Sequence, residues 1–536
     1  MDTDNKIFPM LAKTFAGLED VLRDELLSLG ARNVETGNRA VSFDGDKELL
    51  YKANLCCRTA LSILLPIEMF TASDPDDLYD KVRDIDWSKY MSPDDTFSIS
   101  GTVNSADFPH SKFAVYRVKD GIVDHFNDTC GRRPSIRLQG ADRQLDLHIS
   151  ENRVTISLNS SGEPLSKRGY RVEATEAPLN EVLAAGIILK TGWRGDSPFF
   201  DPMCGSGTFL IEAALIAANI NPGVFRSGYA FEKWPDFDRE LFESLYNDDS
   251  EERDPAYPIV GADIDPEAMQ TARRNIRSAR LENMIRVECR DFAAWQEPPV
   301  AEPGIIVTNP PYNQRLKVED SQQLFHTIGS QLKRLFGGWH AWILGYRDED
   351  FASIGLKPSV KFPINNGGLE CTLREYVLFE GNYADFKTDG GTVHNDTFVR
   401  SARPRRRESD REWERSARRV SGDRSDHRER KGSRDDRRER EPRRFRDNRD
   451  DDRKQRRSGD RKRFDGDKKR FGDRKQRFDR DDRQSLKPYR GKSSSYTPTD
   501  KGPSIDPSHT AFSSPGSMRS RKVWKKHTDK TEDNNE

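Results

Sequence analysis

The chain has 536 residues, of which 34% are hydrophobic and 33% charged, enough apolar residues for a folded core but not over its whole length. Its net charge of -1 conceals a division: residues 1–400 carry 44 Lys and Arg against 62 Asp and Glu, so the first 400 residues are acidic and the remainder is basic, the pattern of an acidic folded body with an arm for a polyanion. Six cysteines without C-x-x-C pairing, no apolar leader in MDTDNKIFPM and no run near the ~20 apolar residues of a membrane span argue against a disulfide scaffold or a membrane protein, and lead us to expect a reduced, cytoplasmic setting.

The first 68 residues read as strand, helix, hairpin, helix, strand. An apolar stretch around Phe8–Ala12 opens the unit. In Gly17–Leu29, Leu18, Val21, Leu22, Glu25 and Leu29 recur at helical spacing, with Gly30 placed as a C-terminal cap. NVETGNRAVSFDG reads as two short strands around Thr36-Gly37-Asn38, Lys47–Leu55 as a helix and ALSILLPI as a buried closing strand. Residues 70–160 combine the strand-like segments TFSISGTV, QLDLHIS and RVTISLN with one helix over Phe113–Asn127, a second α+β unit. Its Lys112, Arg117, Lys119, Arg132 and Arg133 fit either an RNA contact or an ordinary solvated face.

Beyond residue 165 the rhythm becomes strand, helix, strand. PFFDPM precedes a helix over Thr208–Ala218, PIVGADI precedes one over Glu267–Ala279, and IRVECRD, GIIVTNPPY and HAWILGY follow, with ECTLREYVLFEG read as a hairpin-like pair. Short apolar runs separated by helices predict a mostly parallel sheet covered on both faces, which binds ligands at the C-terminal ends of its strands. After residue 387 periodicity stops. The Arg/Asp-rich tail lacks the apolar surface to offset ordering entropy and is expected to be disordered. It reads as an RNA-affinity arm, through Arg and Lys on phosphate and Phe on bases, or as a solubilising spacer.

Two motifs carry chemistry. In DPMCGSGT a strand ends at Asp201, and Gly205 and Gly207 let the backbone approach a ligand while Cys204 and Ser206 keep the cleft open before Thr208 starts a helix. The spacing is neither G-x-G-x-x-G nor a triphosphate loop, and a sulfonium nucleoside fits it better than NAD or ATP. Asp263, at the next strand end, is placed to accept ribose hydroxyl protons, whereas Asp265 before Pro266 reads as a helix cap. Asp291 suits either an adenine amino group or a turn. In Asn309-Pro310-Pro311-Tyr312 the Asn309 side-chain oxygen and the Pro310 carbonyl can hold both protons of an exocyclic amine, Pro310 and Pro311 remove competing donors, and Tyr312 offers a ring for a planar base.

DPMCGSGT, GADID and NPPY, in that order, resemble the class I S-adenosylmethionine-dependent N-methyltransferases. HSKFAVYRVKDGIVDHF, SLNSSGEPLSKRGYR, APLNEVLAAGIILKTGW and FEKWPDFD are similar to segments of the bacterial THUMP-domain RNA methyltransferases, in the 23S ribosomal RNA guanine-N2 group. The resemblance covers about residues 5–385. It implies a ferredoxin-like unit over 1–68, a THUMP RNA-binding domain over 69–160, a Rossmann-like α/β methyltransferase domain over 165–385 and the tail over 387–536. It further implies S-adenosyl-L-methionine as cofactor, held by Asp201, Cys204, Gly205, Ser206, Gly207, Thr208, Asp263 and Asp291 with Pro178 and Leu179 bordering it, and RNA as partner. Arg168, Tyr170 and Arg171 match a basic link where RNA contact and domain packing are equally open.

The large proteobacterial enzymes of this group fuse a second methyltransferase domain after the first. Here the tail stands in that place, without a glycine-rich strand-to-helix motif, so one active site is expected. No cluster of His, Cys and Asp has metal-ligand spacing, and a monomer is favoured. Transfer RNA guanine-N2 methylation, DNA adenine-N6 methylation, methylation of a protein glutamine and a non-catalytic ribosome-assembly role remain as alternatives, of which the last three leave either the N-terminal half or the intact motifs unexplained.

Overall fold

The computed structural model describes residues 6–174, 178–311 and 318–379, with 381, 416, 417 and 420. Tyr312 and nearly all of the tail lie outside the described residues. No helix among the described residues is long and apolar enough to cross a membrane.

The N-terminal half runs β1 (Phe8–Lys13), α1 (Glu19–Ser28), β2 (Arg32–Thr36), β3 (Ala40–Gly45), α2 (Lys47–Cys56), β4 (Ser62–Thr71), α3 (Pro75–Asp84), β5 (Thr96–Asn104), α4 (Ser111–Cys130), β6 (Ser135–Ile136), β7 (Arg143–Ser150) and β8 (Arg153–Asn159). Local chemistry sets several ends. Asp46 accepts from the Leu49 amide at the start of α2, Asp74 accepts from Asp76 and Asp77 with Pro75 in the first turn of α3, and left-handed Gly131 closes α4. The sequence reading placed one helix between residues 70 and 160. There are two, and the missed α3 carries a readable start signal in Asp74-Pro75 and basic Lys81 and Arg83 in its last turn.

The two expected α+β units share one sheet, ordered β2-β3-β1-β4-β8-β7-β5-β6. Ten-residue β4 joins them: its start pairs with β1 at Ser62–Leu64, and from Leu64 to Thr71 it pairs with β8. Residue 68, where the sequence reading divided the units, lies inside this strand.

The second half comprises α5 (Glu181–Lys190), β9 (Phe199–Asp201), α6 (Thr208–Ala217), α7 (Arg239–Asn247), β10 (Ile259–Asp263), α8 (Pro266–Ser278), β11 (Ile285–Cys289), β12 (Ile305–Thr308), α9 (Val318–Leu335), β13 (His340–Gly345), α10 (Asp348–Ser353), β14 (Val360–Asn366) and β15 (Leu369–Val377). Its sheet is ordered β11-β10-β9-β12-β13-β15-β14, with β9 to β13 parallel and the last two strands antiparallel. The part of ECTLREYVLFEG up to Val377 belongs to the single strand β15 and not to a hairpin of its own: β15 pairs with β14 across the Gly367-Gly368 turn and with β13 on its other side. Alternate strand residues feed two cores. Phe199, Ile259 and Val307 pack with Leu183, Leu210 and Met269 of α5, α6 and α8, while Phe200, Val260 and Ile306 face Phe325, Leu332 and Phe351 of α9 and α10.

The halves are knit by buried groups. Phe231 and Phe242, inserted between α6 and β10, stack on and edge against Tyr51 of α2. Glu212 on α6, fully buried, accepts from the Tyr170 hydroxyl and faces Arg168, whose own guanidinium donates to the Arg58 and Leu165 carbonyls. Burial pushes the Glu212 carboxyl up, against the pull of Arg168.

Candidate active site

Chain order outward from β9 to β10 and β11, then back across to β12, makes the gap between β9 and β12 the switch point of the sheet, where doubly wound folds open a cleft. Asp201 ends β9 on one side of it, and Asn309 follows β12 on the other.

The loop Pro202–Gly207 is pinned to β10. The Cys204 amide donates to the Ala262 carbonyl at 2.9 Å, and the Gly205 amide to Asp263 Oδ2 at 2.8 Å. Gly205 and Gly207 both take positive φ, +52° and +82°. A Cβ on Gly207 would lie 3.3 Å from the Ala272 Cβ, so this glycine lets the loop approach α8, whereas a Cβ on Gly205 would meet nothing within 4 Å. The open side of the loop is therefore at Gly205.

Asp263 Oδ1 accepts from the Asp265 amide at 3.0 Å, and each of its oxygens keeps a further lone pair. Burial raises the Asp263 pKa. Asp265 caps α8 by accepting from the Glu267 amide, as the sequence predicts. Between the two acids, Ile264 is 66% exposed, an apolar surface that no sequence pattern marked. Asp291, exposed at the end of β11, accepts from the Ala293 amide and so caps a short turn.

Asp201 is buried; its Oδ1 accepts from Thr308 Oγ1 at 2.8 Å and from the Met203 amide at 3.2 Å, and burial pushes its pKa up to about 7. Cys204 is likewise buried, with its thiol pushed up by burial and its sulfur 3.9 Å from that of Met269, the setting of an unreactive packing thiol. At the β12 end, Asn309 Oδ1 is buried and has no hydrogen-bond partner among the described residues, and Pro310 is buried beside it.

The structure reassigns part of the basic set. Arg168 is 2% exposed, so it packs between halves and is not available to RNA. Arg171 is also turned inward: it donates to Glu181 Oε1 at 2.6 Å and, at 3.0 Å each, to Ser206 Oγ, Thr208 Oγ1 and the Leu179 carbonyl. Arg117 pairs with Asp76 and lies 4.2 Å over the Tyr79 ring, joining α4 to α3, and Lys119 pairs with Asp120. Lys112 and Arg133 are exposed, and Arg132 pairs with Asp94. Pro178 is exposed and Leu179 buried just before α5. Glu181, Thr308 and Asn275, whose amide group bonds Val172, Glu173 and the Ser206 carbonyl, escaped the sequence reading, because nothing in their local spacing marks a partner that lies 10 residues away for Glu181 and 107 away for Thr308.

A doubly wound sheet with this glycine turn, a strand-end acid and an Asn-Pro-Pro at the switch point defines a class I methyltransferase. Sequence profiles match along the chain: the RlmL ferredoxin-like domain over residues 9–64, the THUMP domain over 72–159 and the RMKL-like methyltransferase domain over 168–375. A Synechocystis protein named as a candidate RNA methyltransferase is 40% identical over 374 residues, 69% of this chain and 97% of that one. The ribosomal RNA large subunit methyltransferase K/L of Syntrophotalea carbinolica is 37% identical over 72% of this chain. The chain spans about half the length of the K/L relatives it matches, 55% of this one. SMU.472, a candidate methyltransferase solved with S-adenosylhomocysteine, superposes with a TM-score of 0.63 at 29% identity, over 70% of this chain and 100% of that one. The chain belongs to the THUMP-domain class I RNA methyltransferases of the RMKL-like kind.

The cofactor of this family fold is S-adenosylmethionine. The residues present fit it: an open backbone turn at Gly205 and a strand-end carboxylate with spare lone pairs suit an uncharged ribose and a zwitterionic methionine tail, and no lysine or arginine of the loop would select a triphosphate.

Proposed function

We propose that this protein methylates the exocyclic N2 of a guanine in 23S ribosomal RNA, with Asn309 holding the amine. The observation that carries this is Asn309 Oδ1, buried at the switch point with no donor among the described residues, an acceptor whose missing donor costs about 1–3 kcal/mol until a substrate N–H completes it. With Asn309 Oδ1 and the Pro310 carbonyl each accepting one amine proton, the nitrogen lone pair turns out of the ring. Pro310 and Pro311 donate nothing that would compete. Tyr312 follows them in the sequence, a residue type whose ring can stack on a planar base.

S-adenosylmethionine, when bound, supplies an electrophilic methyl on a sulfur that leaves readily. The loop from Asp201 to Thr208 shapes its cradle, Asp263 accepts from the ribose hydroxyls, Ile264 and Asp291 border the adenine, and Pro178 and Leu179 close the edge. The THUMP profile and the names of the K/L relatives support RNA, and ribosomal RNA in particular, as the acceptor. Guanine leaves its stack to reach the cleft, as bases do in enzymes that act on them. Exposed Lys112 and Arg133, and the basic tail, are the candidates for phosphate contact.

The test is labelled-methyl incorporation into purified 23S ribosomal RNA, transfer RNA and DNA, followed by nucleoside mass spectrometry. N2-methylguanosine in 23S RNA supports the reading. Label confined to transfer RNA overturns the choice of RNA, and N6-methyladenine in DNA overturns the acceptor class.

A further inference from the structure

Arg171 sits in the segment that leads out of the N-terminal half, yet its guanidinium is spent on the cofactor loop. Two of its bonds reach the side chains of Ser206 and Thr208, at 3.0 Å each, and one reaches the Leu179 carbonyl at 3.0 Å. Glu181, in the first turn of α5, takes the Nε proton at 2.6 Å and fixes the plane of the fork. The neighbouring residues of the same segment are held too. Asn275 of α8 accepts from the Val172 and Glu173 amides and donates to the Ser206 carbonyl at 3.1 Å. Tyr170 is bonded to Glu212 of α6 at 2.8 Å, one turn beyond Thr208.

Two hydroxyls in a loop of glycines do not by themselves select one loop conformation, because Gly205 and Gly207 are free to take others. A planar, always-charged fork that satisfies two hydroxyls and one carbonyl at once does select one, and a lysine could not satisfy all of them. We propose that Arg171 is a positioning residue for the methyl donor: it holds the loop in its ligand-ready form from the link to the RNA-binding half, so that cofactor affinity depends on that link. This rests on the reading that Asp201–Thr208 cradles S-adenosylmethionine.

The experiment compares full-length wild type, Arg171→Ala and Arg171→Lys by calorimetric titration with S-adenosylhomocysteine, by steady-state kinetics and by RNA binding. Arg171→Ala is expected to weaken S-adenosylhomocysteine about tenfold or more and to raise KM for the donor in parallel, with RNA affinity within about twofold of wild type. Arg171→Lys, which keeps the charge and loses the fork, is expected to recover only part of the loss. If Arg171→Ala does not fold, as judged by circular dichroism, the lysine variant carries the test, and weakening of about threefold or more with an unchanged melting profile supports the proposal. Unaltered cofactor binding in the folded variants overturns it, as does a loss confined to RNA affinity. Wild type that fails to bind S-adenosylhomocysteine would instead overturn the cofactor reading itself.

Discussion

Thr308 Oγ1 donates a 2.8 Å hydrogen bond to Asp201 Oδ1, tying the strand end before the Asn-Pro-Pro turn to the strand end before the glycine turn. Both residues are 1% exposed, so the two halves of the proposed site are registered by a bond that water does not replace. Thr308→Val keeps the shape and leaves Asp201 short of a donor. It should lower stability by about 1–3 kcal/mol, read as a shift in the urea midpoint with an unchanged slope.

Asp201 also sets a pH dependence. Its folded pKa, about 7, lies above the ordinary carboxyl value of 3.8, so the folded state holds the proton more tightly than the unfolded chain. The contribution is fully present below the unfolded pKa and is lost as pH rises toward 7, where the buried group must ionise. Relative to Asp201→Asn, the unliganded wild type should lose stability progressively between about pH 4 and pH 7. Urea titrations across that range check it, and parallel curves for the two proteins would contradict it.

Asn309→Ala removes the proposed amine acceptor without touching the glycine turn. Transfer should fall by about 10² to 10³ or more, while S-adenosylhomocysteine affinity stays within about twofold. Single-turnover rates beside calorimetry separate the two effects, and undiminished turnover would remove Asn309 from the mechanism.

Gly207→Ala places a Cβ at φ +82° and 3.3 Å from the Ala272 Cβ. About 1–2 kcal/mol of backbone strain is expected, with cofactor binding lost more steeply than stability, since the loop must shift away from α8. Paired melting and binding measurements test this.

A chain ending near residue 390 loses 37 Lys and Arg against 22 Asp and Glu from residues 401–490 alone. Weaker RNA binding with a shallower salt dependence is expected, with donor binding unchanged. An unaltered salt slope would make the tail a spacer.

Much of the candidate site was legible in the sequence piece by piece, because each piece is a local device: the glycine turn at 205–207, the Asp265-Pro266 cap and the proline pair at 310 and 311 are each read from a few neighbouring residues, although the pieces lie far apart along the chain. The parallel sheet was legible for the same reason, since each β–α unit announces itself by period. The misreadings were of two kinds. Helix α3 had its start signal in Asp74-Pro75 and was overlooked, while the merging of two units into one sheet through β4 depended on pairing across more than ninety residues, from Leu64 to Asn159. Arg168 and Arg171 looked like a nucleic-acid link because an arginine's charge is visible in sequence and its partner is not. Glu212, 44 positions beyond Arg168, and Ser206, 35 beyond Arg171, decide that these cations point inward.

The sequence by itself determined the chemistry offered, a glycine turn, strand-end acids and an Asn-Pro-Pro, since those depend on residue type and short spacing. Tertiary structure alone decided which charges are free and which are consumed. Only the fold brings Thr308 to Asp201 and Arg171 to Ser206 and Thr208, because burial and long-range hydrogen bonding are properties of packing and not of order along the chain.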